Sequence, residues 1–226
     1  MIYKQIKTSK FISRPNRFIA NIEIDGSIEV CHVKNTGRCR ELLVPGAKVF
    51  VQQSDSPSRK TKYDLISVYK GDLLINMDSQ APNKVFYEWV KQSGYFKNIT
   101  HIKPECKYKN SRFDFYIEAD GKKKFIEVKG VTLENDGIVS FPDAPTERGV
   151  KHITELIDAV ECGYQAYVFF IAQMERCGYF TPNAENHKEF ADILVKAKDK
   201  GVIIKALNCT VSPESVIAKD FIDVQI

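Results

Sequence analysis

The chain has 226 residues, of which 43% are hydrophobic and 27% charged, and its formal net charge is +4. These values exclude a disordered chain, a fibre and a membrane protein, and they fit one large or two small globular domains. The first 80 residues carry 13 Lys/Arg against 8 Asp/Glu, and the remainder carries 20 against 21. This basic excess points to a polyanionic partner, although a basic surface without any partner explains the same counts.

The cysteine spacing and the N-terminal residues bear on the cellular compartment in which we expect the protein. None of the six cysteines forms a Cys-x-x-Cys pair, which excludes zinc-finger and haem-attachment spacing. The first residues lack the apolar segment of a signal peptide, and no run approaches the ~20 apolar residues of a membrane span. We therefore expect a cytoplasmic protein without membrane partners, whose cysteines are reduced and mostly buried.

Residues 1–80 show the short, turn-separated apolar segments of a small β-barrel. Two strand-like segments flank Asp25-Gly26, another follows Pro45-Gly46, and two more surround Lys70-Gly71. About five strands in such a short region suit an OB-like barrel. We expect this region to be a nucleic-acid-binding domain.

Basic and polar residues of this region supply candidate phosphate contacts. The candidates for DNA binding here are Arg14, Arg17, Asn35, Arg38, Arg59 and Lys60. The amides of the polar turn Asn35-Thr36-Gly37 can also bind phosphate. Phe11, Phe18 and Tyr63 are interleaved aromatics that stack on unpaired bases if they are exposed, which would favour single-stranded or distorted DNA. For Phe18 we expect a place in the barrel core instead.

Residues 81–226 predict a mixed α/β domain. Asn83 is expected to cap a first helix that runs through VFYEWVKQSG, and strands SRFDFYIE and KKKFIEVKGVTL flank Asp120-Gly121. After the segment IVSF, a second helix is predicted over 147–162, and YQAYVFFIAQ then has the continuous apolar character of a strand buried on both faces. A third helix through KEFADILVKAKDKG and a last strand through GVIIKALNCTV complete the prediction.

A carboxylate pair follows from the hairpin around Asp120-Gly121. If these two residues form the turn, Asp114 lies opposite Glu127, with Lys129 on the same face and Phe113 and Phe115 on the other. Like charges in this position destabilise a sheet unless a cation compensates them, and Mg²⁺ or Mn²⁺ accepts carboxylate ligands together with phosphates. Asp114 and Glu127 are therefore candidate metal ligands. With Lys129 they form a candidate catalytic set for hydrolysis of a phosphodiester by metal-activated water. A solvated face with weak ion pairs explains the same three residues.

The context of this set resembles the PD-(D/E)xK nucleases. A helix, three strands, a helix and a strand surround it, which is the αβββαβ core order of that superfamily, and Phe113 stands where the motif name has proline. Glu88 is a possible third acidic ligand and Gln173 can also reach the site. Arg148 and Lys151 at the start of the second helix are candidate DNA contacts, and His152 is assigned no role.

Several long motifs resemble the sugar fermentation stimulation protein A family. They include RPNRF, HVKNTGRCRELLVPG, PSRKTKYDL, SRFDFYIE, EVKGVTL and FPDAPTERGVKHITEL. The resemblance implies an OB-like N-terminal domain, a nuclease-like C-terminal domain, DNA binding and a role in regulating sugar use. It establishes no reaction.

Three functional hypotheses remain open on these residues. The first is a DNA-binding protein with an Mg²⁺-dependent nuclease-like site, a possible deoxyribonuclease. The second is a non-catalytic DNA-binding regulator of sugar metabolism genes that uses the nuclease fold as a scaffold. The third is a regulator that acts through protein partners. No helix-turn-helix is evident, which weakens the ordinary transcription-factor interpretation.

Overall fold

The computed structural model describes residues 1–35, 37–56 and 58–226 as a mixed α/β protein. None of the helices in these residues is long and apolar enough to cross a membrane. The strands of the first sheet are β1 (Ile6–Asn16), β2 (Ile19–Ile24), β3 (Ser27–Val33), β4 (Lys48–Gln53), β5 (Tyr63–Lys70) and β6 (Leu73–Asn76).

The first sheet is a closed five-stranded barrel with an extra edge strand. Its order is β3-β2-β1-β4-β5-β6, and parallel pairing of β3 with β5 closes it, for example at Cys31–Tyr63. Asp25 and Gly26 both have positive φ, as the tight turn between β2 and β3 requires. Phe11 is 2% exposed and packs in the barrel core. The predicted OB-like barrel is confirmed.

The second sheet has nine strands and lies between helices. Its order is β10-β11-β13-β15-β14-β12-β9-β8-β7. Its strands are β7 (Ile99–Tyr108), β8 (Ser111–Ala119), β9 (Lys122–Val131), β10 (Leu133–Asn135), β11 (Ile138–Phe141), β12 (Gln165–Ala172), β13 (Tyr179–Pro182), β14 (Ile203–Ser212) and β15 (Ser215–Val224). The helices are α1 (Ala81–Gln92), α2 (Glu147–Glu161) and α3 (Lys188–Asp199). An αβββαβ order is present as α1, β7, β8, β9, α2 and β12, but its first strand, β7, was not predicted, and the predicted segment IVSF is instead β11, near the opposite edge of the sheet.

Strand β12 is covered on both faces, as its apolar run predicts. Phe169 packs with Phe86 of α1 and Phe115 in one cluster, whereas Phe170 lies in the other cluster with Phe190 of α3. β12 runs parallel to β9 with Val168 opposite Glu127. The central strands thus place the predicted carboxylate site beside the most deeply buried part of the sheet.

The first helix begins earlier than its sequence predicts. Asn83 is not the N-cap: α1 starts at Ala81, with Gln80 in the capping position and Pro82 in the first turn, where its missing N–H leaves no unpaired donor. The side chain of Asp78 accepts the Gln80 N–H at 3.0 Å and so helps to start the helix. Because Asn83 is inside the helix, its side chain is free to contact the sheet.

Barrel and second sheet share a buried junction. The main-chain N–H of Asn76 donates to the carbonyl of Gln173 at 2.9 Å, and the Gln173 amide donates back to Asn76 Oδ1 at 2.8 Å. Gln173 also donates to the carbonyl of Asp78 at 3.0 Å. One apolar cluster contains residues of both units. Residues before β1 also reach the second unit, since the Tyr3 N–H donates to the carbonyl of Glu214.

Candidate functional site

The hairpin that carries the carboxylates has the predicted register. β8 and β9 pair from Ala119–Lys122 to Phe115–Ile126, and Asp114 and Glu127 are the next positions along the two strands. Regular pairing stops there. The Val128 N–H, which would otherwise need a main-chain acceptor, donates to Asp114 Oδ2 at 2.8 Å.

The predicted face alternation breaks at Asp114. Phe113 packs in the α2-side cluster with Phe125, whereas Phe115 packs on the α1 side with Phe86, so the expectation that both phenylalanines share a face is wrong. The break follows from the distortion of β8 where it leaves β9, because Asp114 there binds to the backbone of β9.

Strand β7 is distorted at the same level. Pro104 pairs with Phe115 and Cys106 pairs with Phe113, which places Glu105 opposite Asp114. Glu105 has a φ of 54°. A non-glycine residue in this left-handed region costs of order 1 kcal/mol, and such strain concentrates at functional sites.

Asp114 is held from two elements. Asn83 of α1 donates to Asp114 Oδ1 at 2.8 Å, while Val128 binds Oδ2. Burial, followed by the negative charge of Glu127, raises the pKa of Asp114, against the opposing effects of Val128, Asn83 and Lys129. The influence of Glu127 shows that the two carboxylates are electrostatic neighbours.

Glu127 is 2% exposed and only half satisfied. Lys129 Nζ donates to Glu127 Oε1 at 2.6 Å, and His152 Nδ1 also contacts Oε1. Within the described residues, Glu127 Oε2 has no hydrogen-bond partner. Burial would raise the pKa of Glu127, but Lys129 and His152 outweigh it and hold that pKa below its ordinary value.

These residues meet the chemical demands of a hard divalent cation. Two neighbouring carboxylates offer oxygen ligands, and the free Glu127 Oε2 is a buried acceptor that lacks a positive partner. In the described part of the chain, neither this site nor any other brings together three His, Cys, Asp or Glu side chains in an arrangement that could hold a metal ion, so a cation here has at most the two carboxylates as protein ligands of these types. A site with two carboxylates suits Mg²⁺, which keeps waters and binds substrate phosphates.

Two other predicted members of the site have different partners. Glu88 pairs with the amino group of Met1. Gln173 is buried at the junction with the barrel, where its amide contacts Asn76 and Asp78. Among the described residues, neither side chain hydrogen-bonds to Asp114 or Glu127, although Glu88 lines the same pocket as Asp114.

The barrel carries a basic cleft of about 410 Å³. Its lining includes four arginines: Arg14, Arg17, Arg38 and Arg40. Arg14 donates to the carbonyls of Arg17, Asn35, Gly37 and Arg38 at 2.7–2.9 Å, which uses the N–H groups of both terminal nitrogens. The structure therefore places Arg14 as the anchor of the loop, with no terminal N–H left for a phosphate in this conformation.

The loop that Arg14 anchors also depends on Asn35. The Asn35 side chain accepts the Gly37 N–H at 2.8 Å and so shapes the turn. Arg38 is exposed beside it. Thr36, the middle residue of the predicted phosphate-binding turn, lies outside the described residues. This arrangement leaves Arg38 as the candidate phosphate contact of the loop.

Phe18 lies on the surface of the cleft rim, and the expectation that it fills the barrel core is wrong. It is 44% exposed because it occupies the turn between β1 and β2, where its N–H donates to Asn16 Oδ1 at 2.9 Å. The Arg17 guanidinium lies 4.7 Å from the centre of its ring. Phe11 and Tyr63, in contrast, are buried.

Arg59 and Lys60 differ in their surroundings. Both terminal nitrogens of Arg59 donate to the buried carboxylate of Asp64, so this arginine is already ion-paired although it is itself exposed. Lys60 is exposed. The structure therefore leaves Lys60 more accessible to a phosphate than Arg59.

Arg148 and Lys151 lie on the first turns of α2, close to the carboxylates. Thr146 caps the helix by accepting the Gly149 N–H at 3.0 Å. Arg148 Nε donates to His152 Nε2 at 3.4 Å, and Lys151 Nζ donates to the carbonyl of Asn110 at 3.1 Å. Arg148 and Lys151 are both exposed.

The basic cleft adjoins the start of α2 through one close contact. A Cβ on Gly37 would lie 2.1 Å from Asp143 Oδ2, so any larger residue at position 37 would force this carboxylate to move. Asp143 precedes the α2 cap by three residues. The arginine loop of the barrel and the helix that carries Arg148 are thus neighbours.

Known proteins share this architecture over the whole chain. A family model described as the sugar fermentation stimulation protein RE domain matches residues 80–215, and one described as the SfsA N-terminal OB domain matches 12–77. A sugar fermentation stimulation protein homolog of Clostridium beijerinckii is 62% identical over 224 residues, 99% of each chain. A homolog of Desulfitobacterium hafniense (strain DSM 10664 / DCB-2) is 60% identical over 226 residues, 100% of this chain and 99% of the relative.

A solved structure gives the same result at lower identity. The structure of Pyrococcus furiosus SfsA in complex with Ca²⁺ has a TM-score of 0.91 and 28% identity, and it covers 100% of this chain and 98% of that chain. The similarity extends over both the barrel and the large sheet.

Proposed function

The chain belongs to the sugar fermentation stimulation protein family, and from this membership and the site geometry we propose that it binds DNA and hydrolyses phosphodiesters with a divalent cation. The observation that carries the proposal is Glu127 Oε2, a buried carboxylate oxygen without a partner in the described structure, beside the carboxylate of Asp114. A buried acceptor oxygen left without a partner costs free energy, and a cation bound at Oε2 would remove that cost.

Asp114 and Glu127 are the residues that would hold Mg²⁺ or Mn²⁺. A divalent cation at this position supplies positive charge against a phosphate and makes water a better nucleophile at neutral pH. The relative from Pyrococcus furiosus, whose structure is described as a complex with Ca²⁺, supports a divalent cation on this fold. Val128 and Asn83 orient Asp114 and keep its two oxygens in fixed positions.

Lys129 supplies a positive charge next to the carboxylates. Its ammonium lies 2.6 Å from Glu127 Oε1 and is 14% exposed, so it stands at the mouth of the carboxylate site. A phosphate at the site would be held by this ammonium and by Arg148, which is exposed on the first turn of α2. Fixed positive charges in such positions stabilise the charge that develops on the phosphate oxygens.

DNA binding is assigned to the barrel cleft and the start of α2. Arg17, Arg38 and Lys60 are exposed on the barrel, and Arg148 and Lys151 are exposed on the helix. The contact between Gly37 and Asp143 brings the arginine loop next to α2. A backbone bound in the cleft can therefore continue towards the carboxylates. Such contacts carry no sequence information, so we expect recognition of the structure of DNA rather than of its sequence.

Cleavage and binding assays test the proposal together. Labelled single-stranded, duplex and branched DNA would be incubated with pure protein in Mg²⁺, Mn²⁺ or EDTA, with Asp114→Asn as the matched inactive variant. We expect cleavage only with a cation and only by the wild type, with DNA binding retained by the variant. Absence of any Mn²⁺-dependent heat in calorimetry, and of any rise in melting temperature, would contradict the cation site.

One observation favours the non-catalytic regulator as a second candidate. Lys129 Nζ is bound to Glu127 rather than free for a phosphate. If the ion pair persists when DNA binds, the same scaffold would bind DNA and a cation without cleaving. Cation binding without strand cleavage on any of the three DNA substrates would favour this candidate.

A further inference from the structure

One buried histidine beside the carboxylates has no part in the proposed function. His152 lies on α2 and is 5% exposed. Its Nδ1 contacts Glu127 Oε1, and Arg148 Nε donates to its Nε2 at 3.4 Å. The Phe113 ring packs edge-on against the imidazole, with ring centres 6.4 Å apart. Both ring nitrogens therefore have partners, and the ring plane is fixed by packing.

The chemistry of Arg148 determines which nitrogen carries the proton. A guanidinium only donates hydrogen bonds, so His152 Nε2 must accept from Arg148 Nε. The neutral ring then carries its proton on Nδ1, which donates to Glu127 Oε1. The chain of contacts thus runs in one direction, from Arg148 through His152 to the carboxylate.

Two donors converge on one oxygen of Glu127. His152 and Lys129 both bind Oε1, and neither contacts Oε2. Lys129 alone would leave the carboxylate free to rotate, because a flexible ammonium can follow either oxygen. A rigid imidazole on α2 adds a second, directional restraint. The two restraints together determine which oxygen is left free.

We propose that His152 is a positioning residue that holds Glu127 by Oε1 and so presents Oε2 to a divalent cation, while Arg148 maintains the required tautomer. This inference rests on the proposed function, since it assigns the free oxygen to that cation. Partners of this kind, which orient a ligand without touching the metal, typically contribute about 10–100-fold to metal affinity.

Three substitutions separate positioning from simple core packing. Asn places an amide N–H near the position of Nδ1, Gln places one near Nε2, and Leu fills space without a donor. We expect His152→Asn to keep the Mn²⁺ affinity within about threefold of the wild type, and His152→Gln and His152→Leu to lose about 10–100-fold. The exposed His101, substituted as His101→Asn, serves as the control and is expected to bind Mn²⁺ as the wild type does.

Nitrogen NMR of the metal-free protein provides a readout that needs no cation. We expect His152 to show the tautomer with the proton on Nδ1, and Arg148→Ala to mix the two tautomers. An Nε2-protonated ring in the wild type would overturn the inference even if the protein binds Mn²⁺. Equal Mn²⁺ affinities for the Asn, Gln and Leu variants would overturn it as well. A wild type without Mn²⁺ binding would instead refute the cation site itself, and with it the assignment of Oε2.

Discussion

Two buried carboxylate clusters, one in the barrel and one in the large sheet, satisfy their charge differently. Asp64 of the barrel receives Arg59 on both oxygens, His32 on Oδ1 at 3.1 Å and Lys34 near Oδ2 at 3.3 Å. In the large sheet, Glu127 Oε2 has no partner among the described residues, and Asp114 faces a second negative charge.

The pKa values of the two clusters express this difference. Burial opposes ionisation of Asp64, but its hydrogen bonds with Arg59 and His32 and the charge of Lys34 hold its pKa at about 2. The pKa of Asp114 is raised instead, by burial and by Glu127. The complete cluster stabilises the folded chain, whereas under our proposal the incomplete one receives a ligand that the chain does not itself provide. The predictions below test this distinction.

The largest effect is expected from Asp114→Asn. The substitution removes one of the two proposed cation ligands. Loss of a residue that only orients a ligand lowers metal affinity by up to about 100-fold, so loss of a ligand itself should lower Mn²⁺ affinity further. The metal-free variant should melt at the same temperature as the wild type or slightly above it, because a like-charge repulsion is removed. Calorimetric titration and thermal melts measure both. Asp64→Asn is the matched control and should bind Mn²⁺ normally. Loss of Mn²⁺ binding in both variants would contradict the distinction between the Asp64 cluster and the Asp114–Glu127 cluster.

Asp64→Asn should have the converse effect on stability. The carboxyl titrates at 3.8 in its ordinary state and at about 2 when folded, so its stabilisation is present above about pH 5, where it amounts to about 2 kcal/mol. A lowered pKa means that this stabilisation is lost as the pH falls towards 2. Urea unfolding at pH 7 and pH 3 should show the difference between wild type and variant shrinking to about 1 kcal/mol at pH 3. A difference that is independent of pH would contradict the ion-pair assignment.

The arginines of the basic cleft also divide into those whose hydrogen-bond donors are used within the protein and those that are exposed. The terminal nitrogens of Arg14 donate to four main-chain carbonyls, so Arg14→Ala should reduce the free energy of unfolding by about 2 kcal/mol. Arg17 and Arg38 are exposed, and Arg17→Ala or Arg38→Ala should lower DNA affinity and reduce the slope of log affinity against log salt by about 1 while the fold is unaffected. Binding measured at several salt concentrations tests this. If neither exposed arginine changes affinity or slope, DNA binds elsewhere.

The smallest effect concerns the aromatic side chains. Phe18 is 44% exposed at the rim of the cleft, and stacking on an unpaired base contributes about 1 kcal/mol or more. Phe18→Ala should therefore lower the affinity for single-stranded DNA about fivefold and the affinity for duplex DNA by less. Competition between single-stranded, duplex and branched DNA measures the preference. Equal losses on all three would remove the case for base stacking.

The fold was largely accessible from local patterns in the sequence. Turn signals at Asp25-Gly26 and Asp120-Gly121 placed the hairpins and the β8–β9 register, and the apolar run of β12 predicted its burial. Strands β7, β13 and β15 escaped prediction because their exposed residues break the alternation that marks a half-buried strand. Phe18 was misplaced because its exposure depends on the exact end of β1.

The candidate site was accessible only in part, since some of its residues meet through tertiary structure alone. The pairing of Asp114 with Glu127 follows from one turn, a local feature. The contact of His152 with Glu127 depends on how α2 lies on the sheet, and Asn83 lies inside α1, where it reaches Asp114, because the helix starts three residues earlier than expected. A histidine four residues after an exposed arginine on one helix face was the only local signal.

The contact of Gly37 with Asp143 has a consequence for how this protein can change over time. A side chain at position 37 would overlap the carboxylate at 2.1 Å, so a mutation there requires that the Asp143 side chain move, and it is better tolerated after a smaller residue has replaced Asp143. The order of the two mutations matters, which is epistasis between the two domains. A barrel taken from another protein would lack the matching loop. We therefore expect the two domains to be inherited as a pair and not exchanged as modules.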